Sequence, residues 1–214
     1  HPDVFSAVVI LDAEDPATPE TVRRWIRDHD LAGLRLFGGR KADGSMPWLD
    51  SSQALQCGEV INEAGLVMDL EVLAQGGGGP SVPRLIELAR RYPDARIVLD
   101  HLLEPELHDG PHFGMDERWE RLAECERVYL KFTSINLDHC REEGFPANEV
   151  LRRAVDVFGA DRVMWGSDIG TSSGTYQDMV QRMIAAPDLL MPQEQRAVWH
   201  DTGRRVFVKG GHKR

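Results

Sequence analysis

The segment Arg162-Val163-Met164-Trp165-Gly166-Ser167-Asp168 decides how the chain folds. Its apolar residues predict a short buried strand, and its last residue places a carboxylate at the carboxyl end of that strand. Parallel α/β proteins carry their functional side chains at this end. A second segment, Arg96-Ile97-Val98-Leu99-Asp100-His101, delivers an imidazole in the same way. An aspartate and a histidine at two strand ends could hold a metal ion or activate a water molecule.

Short apolar runs alternate with amphipathic stretches, and the runs recur about every 30 residues, which is the length of a βα unit. Six runs are predicted strands: Phe5 to Leu11, Gly33 to Phe37, Leu66 to Leu73, Arg96 to His101, Val128 to Thr133 and Val163 to Asp168. Most of them are continuously apolar, so both faces of the sheet should be covered.

Helix periodicity is seen after five positions: Thr18, Ser81, Asp116, Pro146, and Gly174 or Thr175. We predict that Thr18 is an N-cap with Pro19 at the first helical position, and that Gly159 ends the helix that follows Pro146. Alternating βα units of this kind imply a parallel sheet.

Two closures of the sheet fit this pattern. A doubly wound open sheet fits the 214 residues as they stand. A (β/α)8 TIM barrel typically needs ~250 residues, so the chain would be an N-terminally truncated barrel whose first strand is missing. We favour the truncated TIM barrel, formed as a single domain over residues 1–214. We also expect an upstream segment, because the chain opens at His1-Pro2-Asp3 without a methionine.

Composition limits the partners. The formal net charge of −10 at pH 7 repels polyanions, so we expect no nucleic acid and no membrane as partners. No apolar run reaches the ~20 residues that cross a bilayer. The three cysteines, Cys57, Cys125 and Cys140, show no CxxC spacing and predict reduced structural thiols in a cytoplasmic protein rather than a disulfide or a zinc site.

The run Gly76-Gly77-Gly78-Gly79-Pro80 lies between a predicted strand and a predicted helix. Its free N–H groups could bind a phosphate. It matches neither the lysine-containing P-loop nor the dinucleotide fingerprint, so we interpret it as a mobile loop.

Polar side chains at the strand carboxyl ends are the candidate site: Asp12, Arg35, Glu71, His101, Lys131 and Asp168. Because successive strand residues point to opposite faces, Asp100 and His101 should not both face the interior, and we place His101 inside. A hydrogen-bonded core histidine is the alternative for His101. Asp168 could instead cap the next helix, but that helix starts several residues later, so a functional carboxylate is favoured.

Arg35 and Lys131 are candidate ligands for a substrate carboxylate, with a salt bridge such as Lys131 to Glu71 as an equally good alternative for the lysine. His108, His112 and His139 lie in sequence typical of loops after strands. His108 and His112 follow the His101 strand closely enough to reach the same mouth of the barrel.

The chain resembles the amidohydrolase-related family of TIM-barrel metal-dependent hydrolases, in the branch with lactonases and decarboxylases. The residues that carry the resemblance are Gly33-Leu34-Arg35-Leu36, Ile97-Val98-Leu99-Asp100-His101, Val128-Tyr129-Leu130-Lys131, Phe158 to Asp168, the opening His1 to Phe5 and the tail Asp201 to Phe207. The resemblance implies that His101 is a metal or substrate ligand. It implies that Asp168 ligates a divalent metal, most simply zinc, and transfers the proton of an attacking water. Arg35 and Lys131 would then orient an anionic substrate.

One departure from the family pattern is the His-x-His pair of its first strand, which is not found in the 214 residues. His101 and Asp168 alone are fewer than the three protein ligands of a catalytic zinc site, so we expect weak zinc binding or none. A barrel without its first strand exposes an edge, so we also expect a homo-oligomer or aggregation.

Three functions remain open. The first is a hydrolase that opens a small carboxylated lactone or ester by attack of activated water. The second is non-oxidative decarboxylation of an unsaturated carboxylic acid on the same fold. The third is a catalytically inactive barrel that binds a ligand.

Overall fold

The computed structural model describes residues 5–73 and 78–208. Within these ranges, six strands form one parallel sheet: β1 (Ala7–Ile10), β2 (Leu31–Gly39), β3 (Val67–Leu73), β4 (Arg96–Leu99), β5 (Val128–Thr133) and β6 (Val163–Gly166). Their spatial order is their order along the chain. A doubly wound sheet would reverse direction at a switch point. The sequential order therefore excludes that alternative and confirms the curled βα arrangement of a TIM barrel.

Ten α-helices occur in the described ranges: α1 (Thr18–Asp28), α2 (Pro47–Asp50), α3 (Ser52–Glu63), α4 (Val82–Arg91), α5 (Glu117–Ala123), α6 (Ser134–Glu143), α7 (Ala147–Phe158), α8 (Tyr176–Ala185), α9 (Pro192–Arg196) and α10 (Thr202–Phe207). The five predicted helices are α1, α4, α5, α7 and α8. Gly159 ends α7 at a positive φ of 84°, as predicted. The N-cap of α1 is Ala17, so the prediction of Thr18 was wrong by one residue.

Two apolar layers flank the sheet. The outer layer lies between strands and helices and includes Leu34, Leu70 and Phe132. The smaller inner layer consists of Val67, Val98, Met164 and Val206, with Tyr129 and Phe207 packed against it. Because β3 alternates, Asp69 and Glu71 continue upward on the same face as Val67. The interior of the sheet is therefore apolar at its floor and charged towards the carboxyl ends of the strands.

The state of the cysteines and the length of the helices bear on two further predictions. Cys57, Cys125 and Cys140 are free thiols, as predicted, and burial raises the pKa of Cys57 and of Cys140 to about 11. Over residues 5–73 and 78–208, no helix is long and apolar enough to cross a membrane.

Two sequence features lie partly outside the described ranges. Of the glycine run, Gly76 and Gly77 are outside, and Gly79–Ser81 forms a short 3-10 turn before α4. The opening residues 1–4 are also outside.

Candidate active site

A left-handed turn follows β4 and carries His101. The strand ends at Leu99, two residues earlier than predicted, and His101, Leu102, Leu103 and Glu104 all have positive φ, between 45° and 62°. Non-glycine residues in this region cost roughly 1–3 kcal/mol each, so the surrounding structure must hold the turn in place.

Donors from three other segments hold the turn. Asn136 Nδ2 donates to the His101 carbonyl at 2.9 Å, and Trp119 Nε1 donates to the Leu102 carbonyl at 3.2 Å. The backbone N–H of Gly78 donates to the Glu104 carbonyl at 3.0 Å. The buried carbonyls of the turn are thus satisfied from outside, as buried backbone groups require.

The turn corrects the predicted orientation of Asp100. Strand alternation no longer applies beyond Leu99, so Asp100 and His101 both reach the charged face of the sheet. Asp100 Oδ2 lies 3.0 Å from Arg35 Nη2, and Asp100 Oδ1 lies 2.7 Å from Lys131 Nζ. The prediction that Asp100 faces outward was therefore wrong.

Arg35 and Lys131 lie in a compact charge cluster with three carboxylates. Arg35 Nη2 donates to Glu71 Oε2 at 2.7 Å, and Lys131 Nζ donates to Asp69 Oδ2 at 2.6 Å. The alternative of an internal salt bridge for Lys131 is thus realised, with Asp69 and Asp100 as partners instead of Glu71.

Burial and charge act in opposition within this cluster. Burial lowers the pKa of Lys131, but Asp69 and Asp100 outweigh burial and leave that pKa above its ordinary value. Burial raises the pKa of Asp69, and Lys131 offsets this only in part. Removal of one partner would therefore leave a buried charge without its counter-charge, which is costly.

His101 is buried, with 2% of its surface exposed, and both ring nitrogens have neighbours. Nδ1 lies 2.8 Å from Thr133 Oγ1, and Nε2 lies 3.3 Å from Glu71 Oε1. The alternative of a hydrogen-bonded histidine fits Nδ1, whereas Nε2 faces the charge cluster.

Asp168 follows β6 with a positive φ of 48°. Its carbonyl accepts from the N–H groups of Thr171 and Ser172, both at 3.2 Å. Thr175, not Asp168, caps α8 through its side chain. Asp168 Oδ2 is buried and has no hydrogen-bond partner among the described residues. Such an orphaned carboxylate oxygen is costly unless a cation or a water accompanies it.

His101 and Asp168 lie on the same rim, because they follow β4 and β6 of one parallel sheet and only β5 lies between those strands. A cavity of about 660 Å³ opens at the carboxyl ends of β1 and β2, and neither His101 nor Asp168 is among its lining residues. Its lining includes Asp12, Phe37, Arg40 and Trp48.

The other candidate histidines, His108, His112 and His139, are exposed to solvent. His108 is 70% exposed and pairs with Glu143 at 3.3 Å. His139 is on α6 rather than in a loop, and it is exposed to solvent.

A family model described as amidohydrolase matches residues 1–208. The chain belongs to the amidohydrolase family. The resemblance inferred from the strand-end motifs is thereby confirmed.

Similar proteins include lactone hydrolases. An L-fucono-1,5-lactonase from Burkholderia ambifaria is 29% identical to this amidohydrolase over 172 residues, which are 77% of this chain and 55% of that relative. This chain thus spans about half the length of the curated relative. A structure assigned as a 2-pyrone-4,6-dicarboxylic acid hydrolase from Pseudomonas putida matches with a TM-score of 0.74 at 24% identity, covering 97% of this chain and 73% of the other.

Two further solved structures share the fold and contain metals. An amidohydrolase from Burkholderia multivorans with bound zinc has a TM-score of 0.71 at 21% identity and covers 94% of this chain and 72% of the other. A dihydroxybenzoic acid decarboxylase from Polaromonas sp. JS666 with bound manganese has a TM-score of 0.68 at 14% identity. The match covers 97% of this chain and 70% of the other. At sequence identities of 21% and 14%, the similarity to these two structures shows a shared fold.

Sequence reasoning missed four residues that the structure places around the candidate site: Asp69, Asp100, Thr133 and Asn136. Asp69 and Glu71 alternate along one strand, which is a signal that both face one side. Thr133 and Asn136 have the three-residue spacing of a capping box, which the structure forms at α6. The position of Asp100 had no such signal, because it depends on the left-handed turn.

Proposed function

We propose that this amidohydrolase opens a lactone of a small carboxylated compound by attack of an activated water molecule. The similarity to L-fucono-1,5-lactonase is the observation that carries the proposal. The orphaned carboxylate oxygen of Asp168, on the rim where βα proteins keep their chemistry, supports it.

Asp168 would act as the base. Its buried Oδ2 would accept the proton of the attacking water, so that hydroxide adds to the lactone carbonyl. Asp168 would then return this proton to the ring oxygen as the ring C–O bond breaks. The product is a hydroxy acid, which releases a proton at neutral pH.

Arg35 would bind the anionic group of the substrate. Glu71 and Asp100 both contact its Nη2, whereas its Nε is buried and has no hydrogen-bond partner among the described residues. A carboxylate or a developing oxyanion could accept from this group. Lys131 is less available to a substrate, because its ammonium group donates to Asp69 and forms an ion pair with Asp100.

His101 and Asp168 would be the protein ligands of a divalent metal, with zinc as our choice. The metal, when bound, would supply Lewis-acid polarisation of the carbonyl. Within residues 5–73 and 78–208, no group of three or more histidine, cysteine or acidic side chains is arranged to hold a metal ion. We therefore expect this chain to bind zinc weakly or not at all, and a calorimetric titration that gives submicromolar affinity would contradict this.

Two alternative functions remain. Non-oxidative decarboxylation of an unsaturated carboxylic acid is favoured by the shared fold of the manganese-bound decarboxylase. A catalytically inactive ligand-binding barrel is favoured by the small number of metal ligands among the described residues.

A substrate panel tests the three functions against each other. The panel holds sugar 1,5-lactones, carboxylated pyrone lactones and hydroxybenzoic acids, assayed with and without added zinc or manganese. We expect proton release from lactones in a pH-stat and no carbon dioxide from the acids. Carbon dioxide release without lactone opening would identify the decarboxylase instead. Saturable binding without turnover would identify the binding barrel.

A further inference from the structure

A closed ring of hydrogen bonds joins His101, Thr133 and Asn136. His101 Nδ1 contacts Thr133 Oγ1 at 2.8 Å, Thr133 Oγ1 contacts Asn136 Oδ1 at 3.2 Å, and Asn136 Nδ2 returns to the His101 carbonyl at 2.9 Å. All three residues are buried, with exposures of 2%, 2% and 7%. Little room is left for water to substitute for a member of the ring.

The orientation of the Asn136 amide follows from its partners. The backbone N–H of Thr133 can only donate, and it lies 2.9 Å from Asn136 Oδ1. The His101 carbonyl can only accept, and it lies at Nδ2. Both contacts demand the same orientation, so the oxygen and nitrogen of the amide are assigned without ambiguity.

The direction of the remaining bonds depends on the Thr133 hydroxyl. The hydroxyl donates to Asn136 Oδ1 at 3.2 Å, and this bond uses its only hydrogen. The hydroxyl can meet His101 Nδ1 only with a lone pair, and Nδ1 must therefore carry a hydrogen. In a neutral imidazole the other nitrogen, Nε2, is then an acceptor.

We propose that Thr133 and Asn136 are positioning residues that hold neutral His101 in the Nδ1–H tautomer. This places the lone pair of Nε2 against the charge cluster, 3.3 Å from Glu71 Oε1. The Nε2–H form is the more populated tautomer of free histidine in water, so the ring of hydrogen bonds reverses the ordinary preference.

The tautomer determines what His101 can do. An Nε2 lone pair binds a metal ion or accepts a proton, whereas an Nε2–H group could only donate. Nε2 and the Glu71 carboxylate also face each other as two acceptors, an arrangement that favours a cation or a donor hydrogen between them. The use made of this lone pair rests on the proposed function, but the tautomer itself does not.

Nitrogen NMR of the whole chain tests the proposal without substrate or metal. The chain is labelled with 15N-histidine and recorded at alkaline pH, where imidazoles are neutral. The His101 signals are identified by their loss in His101→Gln. We expect a pyrrole-type resonance for Nδ1 and a pyridine-type resonance for Nε2. The opposite assignment in the wild-type chain would overturn the proposal.

Matched variants distinguish the effect of the Thr133 hydroxyl on the tautomer from the effect of Thr133 packing. Thr133→Val keeps the shape but removes the hydroxyl, and we expect the Nε2–H form to gain population. Thr133→Ser should restore the Nδ1–H form. Asn136→Ala should shift the tautomer as Thr133→Val does, whereas Asn136→Asp keeps the acceptor and should preserve it. A full Nδ1–H population in folded Thr133→Val would contradict the proposal.

Failure of this proposal and failure of the proposed function give different results. An Nδ1–H tautomer in a chain that opens no lactone refutes only the function. A chain that opens lactones with an Nε2–H tautomer refutes only the role of Thr133 and Asn136. Where Thr133→Val or Asn136→Ala does not fold, the wild-type spectrum alone decides.

Discussion

Asp100 and His101 show that strand alternation does not predict side-chain orientation beyond the end of a strand. The sequence predicted His101 as the last residue of a strand, whereas the strand ends at Leu99 and His101 lies in the turn that follows. Alternation also predicted that Asp100 points outward, yet Asp100 contacts both Arg35 and Lys131. The rule fails because it holds only within a strand, and the backbone turns left-handed at His101.

Asp69 gives the charge cluster a pH dependence. Burial raises the pKa of Asp69 from 3.8 to about 6 despite the neighbouring Lys131. The folded chain therefore holds this proton more tightly than the unfolded chain. The stability that the proton contributes is present at low pH and is lost as the pH rises from 3.8 to about 6.

Replacing Asp69 by Asn should remove this dependence. We expect the unfolding free energy of the wild type, relative to Asp69→Asn, to decline over that pH range, by about 1.4 kcal/mol for each unit of raised pKa. Urea denaturation at a series of pH values measures the unfolding free energy of both chains. Asp156→Asn on the outer surface of α7 is the control. Parallel pH profiles for the wild type and Asp69→Asn would refute the role of Asp69.

At the scale of elements, the left-handed turn after β4 is the feature that sequence reasoning could not reach. Its four non-glycine residues give no sign of positive φ. What holds them is tertiary: Asn136 comes from α6, Trp119 from α5, and Gly78 from the segment before α4. The six strands and five of the ten helices in the described ranges, by contrast, were predictable because their periodicity is local.

Gly78 should be intolerant of any side chain. A Cβ at this position would lie 2.1 Å from the Leu103 carbonyl oxygen, so Gly78→Ala must displace the turn. We expect a loss of roughly 1–3 kcal/mol in unfolding free energy. Thermal and urea denaturation measure it.

Gly203→Ala is the matched control. No atom lies within 4 Å of its Cβ, and Gly203 lies inside α10. Alanine there should be neutral or stabilise the chain by roughly 0.5–1 kcal/mol. Equal stability of Gly78→Ala and the wild type would show that the turn does not depend on this close approach.

At the scale of the whole molecule, the sequential strand order was predictable from the βα rhythm, and the family match agrees with it. The charge cluster was not predictable from the sequence, because it joins residues from β2, β3, β5 and the turn after β4. A single domain over residues 1–214 and a carboxylated substrate stay predictions.

The β1 edge should promote self-association. Among the described residues β1 pairs only with β2, so its other edge is open, and Ile10 on it is 55% exposed. We expect a mass above the 24.0 kDa monomer in light scattering, increasing with concentration. Ile10→Lys should shift the chain towards monomer. Ile184→Lys, equally exposed at 55% but on α8, should not. A wild-type monomer at every concentration would contradict this.

Turnover of a lactone by Asp168→Asn, compared with turnover by the control Asp156→Asn, tests the central claim. The claim is that the orphaned carboxylate of Asp168 is the base. We expect kcat of Asp168→Asn to fall by about 10²- to 10⁴-fold with the fold intact by circular dichroism. Asp156 is on the outer surface of α7, and its variant should keep wild-type turnover. Undiminished lactone opening by folded Asp168→Asn would contradict the claim.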